Sequence, residues 1–217
     1  MESEPQRRPL ATRQKGWAHA AARALSGAGV SPDAISTAGL IFAIAAGFLI
    51  WRSGVDNGVA RVLELLVSAA LIQLRLLCNL LDGMVAVEGG RRTAHGELFN
   101  DVPDRFADLA VLLGAGYSLS AHAWGPVLGW CAGVLSVLTA YVRLLGASMT
   151  GHHHFEGPMA KPHRMAVMTV ACVLSTLEPL WGWHGQFLGL ALTLITLGAF
   201  VTFFRRLALI YGDLERR

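Results

Sequence analysis

The chain has few charged residues for its length. Asp, Glu, Lys and Arg make up 15% of its 217 residues, whereas a soluble domain carries about a quarter. Hydrophobic residues make up 53%, and the mean hydropathy is +0.47. This composition excludes an ordinary soluble domain and predicts an integral membrane protein. The net charge is only +3, and we expect no nucleic acid among its partners.

Cysteine is also scarce. Cys78, Cys131 and Cys172 lie in separate apolar segments. An odd number of scattered cysteines, which we expect to be buried, excludes a disulfide framework and a zinc site. The first 33 residues are rich in charge and lack a long apolar core, so we predict no cleavable signal peptide. Matching broken segments in two halves are absent as well, which argues against a small transporter.

The apolar segments predict six transmembrane helices, since each has about the 15 to 25 residues needed to cross a bilayer. They cover residues 34–51, 62–81, 96–119, 124–149, 164–177 and 186–209. A short helix over 16–25, with Trp17 and Arg23, is predicted to lie on the membrane surface. The expected fold is therefore all-α and integral to the membrane. Its regions are a cytoplasmic arm with the interfacial helix (1–33), a six-helix domain (34–210) and a cytoplasmic tail (211–217).

Basic residues fall mostly on one side of the predicted bundle. Beyond the N-terminal arm, they are Arg91, Arg92, Lys161, Arg164, Arg205, Arg206, Arg216 and Arg217. Only Arg52 and Arg61 fall on the other side, where Trp51, Tyr117, Trp124, Trp181 and Trp183 form an aromatic belt. The positive-inside rule therefore predicts that both termini face the cytoplasm, in a bacterial inner or plasma membrane.

Residues 78–109 carry polar residues at helical spacing, on two consecutive helices joined by a charged loop. The two sets are Asn79, Asp82, Gly83 and Ala86, and Gly96, Asn100, Asp104 and Asp108. Ionisable residues at membrane depth are costly unless they have a function. Clustered carboxylate and amide oxygens suit a hard cation, so we expect Mg²⁺ or Mn²⁺ as cofactor.

This spacing resembles the signature of the CDP-alcohol phosphotransferases, D-x-x-D-G-x-x-A-R-x8-G-x3-D-x3-D. Every interval is kept from position 79 to position 104. The chain departs from the signature at three positions, where Asn79 and Asn100 replace Asp and Val87 replaces Arg. The resemblance implies a membrane enzyme that transfers a phosphatidyl or other phospho-alcohol group from a CDP-alcohol, CDP-diacylglycerol above all, to an acceptor hydroxyl with release of CMP.

The resemblance also implies roles for single residues. Asp82 matches a metal ligand beside the nucleotide, and Asn79 and Asn100 align with metal ligands. Asp104 matches the last Asp of the signature, which serves as the general base and lies at the metal site. Asp108 continues the same helical row, either as a further ligand or as a helix-packing residue. Gly83, Ala86 and Gly96 match the small residues that let the nucleotide approach the backbone.

Three basic residues near the predicted cytoplasmic face resemble in placement the family's site for the acceptor's phosphate. They are Arg143, Lys161 and Arg164. The acceptor alcohol would then be phosphorylated, although Lys161 and Arg164 are equally explained as positive-inside anchors. The three departures leave a second hypothesis open, a non-catalytic membrane protein that binds a CDP-lipid through a degenerate metal site.

Three glycines in the fourth predicted span are spaced by four residues. Gly125, Gly129 and Gly133 would permit close approach of another helix. That helix belongs either to a second copy, in a homodimer, or to the same subunit. The sequence leaves both readings open.

Overall fold

A computed structural model of the protein describes residues 15–88 and 96–216, and in that part the side chains of residues 88, 97, 99 and 100 are left out. Seven α-helices account for nearly all of it. They are α1 (Gly16–Gly27), α2 (Pro32–Arg52), α3 (Gly58–Glu88), α4 (Gly96–Ser118), α5 (Trp124–Thr150), α6 (Lys161–Ser175) and α7 (Gln186–Glu215). A 3₁₀ turn, Glu178–Trp181, precedes α7, and these two ranges contain no strand. The all-α prediction is confirmed.

Local sequence explains where the helices begin and end. The Ser31 hydroxyl accepts a hydrogen bond from the backbone N–H of Ala34 at 3.2 Å, and Pro32 and Asp33 occupy the first turn of α2. These residue types favour a helix start because they satisfy its free N–H groups and its dipole. The helix α5 ends at Thr150 and is followed by Gly151, whose φ of 77° is the left-handed conformation common after helices.

Within the described residues, four helices are by length and composition apolar enough to cross a membrane, namely α2, α3, α5 and α7. They correspond to four of the six predicted spans, and the other two are not confirmed. The helix α4 carries four charged residues between Asp101 and Asp108, and α6 has 15 residues, fewer than the roughly 20 of a typical span. Both helices pack inside the bundle, α4 against α2 and α5 and α6 against α3 and α7. The neighbouring helices therefore shield their polar or short segments.

Large apolar side chains cover the outside of the bundle, as expected for helices in contact with lipid. Examples are Ile41, Phe48, Leu197 and Phe200, each at least half exposed. The expectation that the cysteines are buried is correct for Cys172 only, because Cys78 is partly exposed and Cys131 is exposed. Since Cys131 lies within the apolar α5, its exposure is compatible with a lipid-facing position.

Glycines bring the helix backbones into direct contact. A Cβ atom at Gly114 of α4 would overlap the backbone of Gly47 of α2. Between α4 and α5, Gly116 and Gly129 lie so close that neither position has space for a side chain. Gly125 and Gly133 also face α4, against Leu119 and Leu109. The glycine row of α5 therefore packs within the subunit, and the reading as a dimer face is wrong for it.

Replacing Gly114 by Ala is expected to destabilise the protein by about 1–3 kcal/mol, because the added methyl group must push α4 away from α2. The measurement is denaturant unfolding of the purified protein in detergent. Gly27→Ala is the matched control, since a Cβ at Gly27 meets no atom within 4 Å. Equal stability of the two variants would contradict backbone contact at Gly114.

The N-terminal helix α1 lies against the half of α3 that carries the first part of the signature. Ala18 and Ala22 are fully buried and belong to one cluster with Leu80, Leu81, Met84 and Val85. Trp17 is half exposed on the other side. Its placement at the membrane surface stays a prediction, but its contact with α3 shows that α1 is part of the folded domain.

The end of the bundle remote from the signature is held by a buried ion pair. Arg61 Nη2 lies 2.6 Å from Glu178 Oε2, and both residues are at most 3% exposed. Glu178 also accepts hydrogen bonds from the backbone N–H groups of Gly185 and Phe187, while Arg61 donates to the carbonyl groups of Ser53 and Ser175. Because every charge is paired, this cluster fixes the ends of α2, α3, α6 and α7.

Candidate active site

The two halves of the signature meet where α3 ends and α4 begins. The Asn79 side-chain amide donates to Asp104 Oδ1 at 2.9 Å, which joins the two helices directly. The first turns of α2 and α6 lie at the same end, with Ser36 and Lys161 in contact with signature carboxylates. The face of α3 and the face of α4 that the sequence pattern identified therefore converge on one site.

Asp82 is buried, with 2% of its surface exposed. Its Oδ2 accepts a hydrogen bond from the Ser36 hydroxyl at 2.8 Å, and its Oδ1 accepts one from the backbone N–H of Gly83. A buried carboxylate needs such donors to offset the loss of water. Neither donor carries a formal charge, so the negative charge of Asp82 is available to a cation.

Asp104 is the most accessible carboxylate of the site, with 15% of its side chain exposed. Its Oδ1 accepts from Asn79 and lies 3.4 Å from Arg75 Nη2, and its Oδ2 forms an ion pair with the ammonium group of Lys161. Two cations and an amide therefore surround this single carboxylate.

Asp108 lies deeper and holds two arginines. Its Oδ1 is 2.7 Å from Arg75 Nη2 and its Oδ2 is 2.7 Å from Arg164 Nη2, and all three side chains are at most 3% exposed. Both carboxylate oxygens are thus used inside the protein. The arrangement favours the reading of Asp108 as a helix-packing residue over the reading as a metal ligand, because each of its oxygens is held by a buried guanidinium group, whereas the donors to Asp82 are uncharged and Asp104 is partly exposed.

Arg75 belongs to the site although the signature does not include it. It lies four residues before Asn79, on the same face of α3, and bridges Asp104 and Asp108. The sequence predicts an interior position for both Gln73 and Arg75, because polar and charged side chains are unusual at membrane depth. The prediction is confirmed for Arg75, whereas Gln73 is exposed and its amide donates a hydrogen bond to the Thr169 hydroxyl of α6.

The three predicted phosphate-binding residues lie in different surroundings. Arg143 Nη2 donates to Asp101 Oδ1 at 3.1 Å, and its guanidinium lies 5.5 Å from the centre of the Phe155 ring. Arg164 is 2% exposed and bonds Asp108, the Thr139 hydroxyl and the carbonyl oxygen of Met159. Lys161 is the predicted basic residue that reaches a signature carboxylate.

The other predicted site residues are small or lie outside the described part of the chain. Gly83 and Ala86 are partly exposed on α3, and Gly96 is the first residue of α4. The side chain of Asn100 and the whole of Arg91 and Arg92 lie outside the described residues.

Within the described part of the chain, no three His, Cys, Asp or Glu residues form a group that could hold a metal ion. The replacement of Asp by Asn at position 79 explains part of this result, since an amide supplies an oxygen but no charge. Asp82, Asp104 and the amide of Asn79 remain as hard oxygen donors, a set that fits a single Mg²⁺ or Mn²⁺. A pair of divalent cations would need more negative charge.

Among solved structures, the chain is similar to phosphatidylinositol phosphate synthase of Mycobacterium tuberculosis. The structure of that synthase with manganese and citrate matches 89% of this chain and 88% of its own, with a TM-score of 0.74 and 21% identity. Its structure with CDP-diacylglycerol bound matches 89% and 93%, with a TM-score of 0.73 and 21% identity. The chain has the fold of this synthase. The resemblance to the CDP-alcohol phosphotransferases is thereby confirmed at the level of the fold.

A curated relative is the inner membrane protein YnbA of Escherichia coli K12. It is 24% identical over 153 residues, which cover 70% of this chain and 71% of the relative. No protein-family profile matches the chain. Together, the apolar helices and this relative support an integral membrane protein.

Proposed function

We propose that the protein is a membrane phosphotransferase that moves a phosphatidyl or related phospho-alcohol group from a CDP-alcohol to an acceptor hydroxyl. CDP-diacylglycerol is the first candidate donor, because the synthase with the same fold binds it. The observation that carries the proposal is the meeting of Asp82 and Asp104 with Lys161 and Arg75 at one end of the bundle. Such a site suits phosphoryl transfer, which depends mainly on positioning and charge stabilisation.

Asp104 is the proposed general base. The acceptor oxygen attacks the β-phosphorus of the CDP-alcohol, the bond from that phosphorus to the bridging oxygen of CMP breaks, and CMP leaves. The hydroxyl proton passes to the Asp104 carboxylate, which has to be within hydrogen-bonding reach of the acceptor. Asp82 and Asp108 are more deeply buried and have no comparable access.

Partly exposed cations at the site support an anionic substrate. The side chains of Arg143 and Lys161 are 23% and 20% exposed, respectively. Phosphate oxygens of the donor or the acceptor would reach these two residues, whereas Arg75 and Arg164 are buried behind them and add positive charge from inside the bundle.

The residues that would hold a divalent cation are Asp82, Asp104, Asn79 and Asn100. Mg²⁺ or Mn²⁺ bound there would neutralise the pyrophosphate and stabilise the negative charge that develops on CMP. The chain's own contribution is to orient the two carboxylates, through Ser36 for Asp82 and through Asn79 for Asp104.

The orientation proposed from the basic residues places both termini and the site in the cytoplasm, in a bacterial inner membrane like that of YnbA. Of the two basic residues on the opposite side, Arg61 is buried against Glu178 and Arg52 pairs with Asp56 at 2.6 Å.

A second candidate function is a non-catalytic protein that binds a CDP-lipid. The pairing of Asp104 with Lys161 favours it, together with the loss of charge at Asn79. The retention of a buried Asp82 with no charged hydrogen-bond donor opposes it, because an intramembrane carboxylate without a function is costly.

The test is CMP release from CDP-diacylglycerol by the purified protein with Mg²⁺ or Mn²⁺, across acceptors that include glycerol phosphate and inositol phosphate. We expect metal-dependent release with at least one phosphorylated acceptor. Absence of turnover with every acceptor, combined with metal-assisted binding of CDP-diacylglycerol that Asp82→Asn abolishes, would identify the non-catalytic binder instead.

A further inference from the structure

The ion pair between Lys161 and Asp104 is unusual within this chain. The sequence contains only two lysines, Lys15 and Lys161, against sixteen arginines. The other positive charges that the structure describes inside the bundle are carried by arginines, such as Arg61, Arg75 and Arg164. An ammonium group is a compact point charge, whereas a guanidinium is a planar fork. Lys161 therefore presents to Asp104 the kind of localised charge that a metal cation presents.

The charges around this ion pair leave no excess of negative charge. Asp82, Asp104 and Asp108 supply three negative charges, and Arg75, Arg164 and Lys161 supply three positive ones. The adjoining group of Asp101, Arg105 and Arg143 adds one negative and two positive charges. Charges added to a low-dielectric interior without compensation are expensive. A divalent cation that binds between Asp82 and Asp104 would therefore be opposed by the nearest mobile cation, which is Lys161.

The two arginines are poor candidates for leaving the site. Both are held by Asp108, at 2.7 Å in each case, and are nearly inaccessible. Lys161 is different, because its side chain is 20% exposed and contacts the one carboxylate that is itself partly exposed. It is also the first residue of α6, so its side chain can move without disturbing the helix.

We propose that Lys161 is the resident cation of Asp104, that a divalent cation binds this carboxylate only by displacing Lys161, and that the site holds one divalent cation at most. This inference rests on the proposed function for the identity of the metal site, but it concerns metal affinity and not turnover. The neutral Asn79 fits it, since a carboxylate there would have supplied the charge for a further cation.

The experiment measures binding of Mn²⁺ alone to the purified full-length protein in detergent, with free Mn²⁺ quantified by electron paramagnetic resonance. Lys161→Met is expected to tighten Mn²⁺ binding by about tenfold or more, since it removes a unit charge next to the ligand. Lys161→Gln, which keeps an N–H donor but no charge, should have the same effect. Arg52→Met is the matched control, because it removes a positive charge from an arginine–aspartate ion pair, Arg52 with Asp56, at the far end of the bundle.

A double-mutant comparison locates the effect. In an Asp104→Asn background, Lys161→Met should no longer tighten Mn²⁺ binding. The proposal is overturned if the wild-type protein binds two Mn²⁺ ions, if Lys161→Met leaves the affinity unchanged, if no variant binds Mn²⁺, or if Arg52→Met or the Asp104→Asn background gives the same gain. If the protein releases no CMP but Lys161→Met still tightens Mn²⁺ binding, this inference holds and the proposed function fails. If the protein releases CMP but Lys161→Met leaves Mn²⁺ binding unchanged, the proposed function holds and this inference fails.

Discussion

Replacing Asp104 by Asn is expected to reduce CMP release by about 10²- to 10⁴-fold, the usual contribution of a positioned general base. Asparagine has the same shape and can keep contact with Asn79 and Arg75 through its amide oxygen, so the site should stay assembled. It cannot accept the proton of the acceptor hydroxyl. The loss should therefore appear in kcat more than in the affinity for the CDP-alcohol.

The measurement is the initial rate of CMP release with the acceptor that supports turnover, over a range of CDP-alcohol concentrations that separates kcat from KM. Asp56→Asn is the matched control, because it makes the same change at the far end of the bundle, where Asp56 pairs with Arg52. An Asp104→Asn variant that keeps a third or more of the wild-type rate would show that Asp104 is not the base.

The sequence predicts the site carboxylates better than it predicts the cations around them. Helical spacing and the resemblance to the signature identify Asp82 and Asp104 from the sequence. These two residues lie on helices that follow each other in the chain, α3 and α4. The interaction of Lys161 with Asp104 joins residues 57 positions apart. Nothing in the local pattern specifies that distance, so Lys161 could be assigned to a phosphate or to the membrane surface with equal reason.

The glycines of α5 show a second limit. Their spacing predicts close helix approach, which the structure has, but spacing contains no information on the identity of the partner helix. In the structure Gly116 of α4 lies against Gly129, and this contact identifies α4 as the partner helix. In the same way, length and hydropathy identify α2, α3, α5 and α7 as spans. The helices α4 and α6 are polar or short, and only their packing inside the bundle explains how such segments are accommodated.

Replacing Asp108 by Asn is expected to destabilise the protein by about 3–5 kcal/mol, because it leaves Arg164 buried without a counter-charge and Arg75 with only its longer contact to Asp104, at 3.4 Å. The measurement is denaturant unfolding in detergent. Asp101→Asn is a closely matched control, since Asp101 lies on the same helix and also holds two arginines, Arg105 and Arg143. The Asp101 side chain is 31% exposed, so its loss should cost about 1 kcal/mol or less.

The same pair of variants separates the two readings of Asp108. If Asp108 positions the arginines, Asp108→Asn lowers stability strongly and alters Mn²⁺ affinity only through the displaced Arg75, which is then free to compete for Asp104. If Asp108 is instead a metal ligand, Asp108→Asn abolishes Mn²⁺ binding while stability falls no more than in Asp101→Asn. The geometry predicts the first result, because both oxygens of Asp108 already accept from guanidinium groups at 2.7 Å.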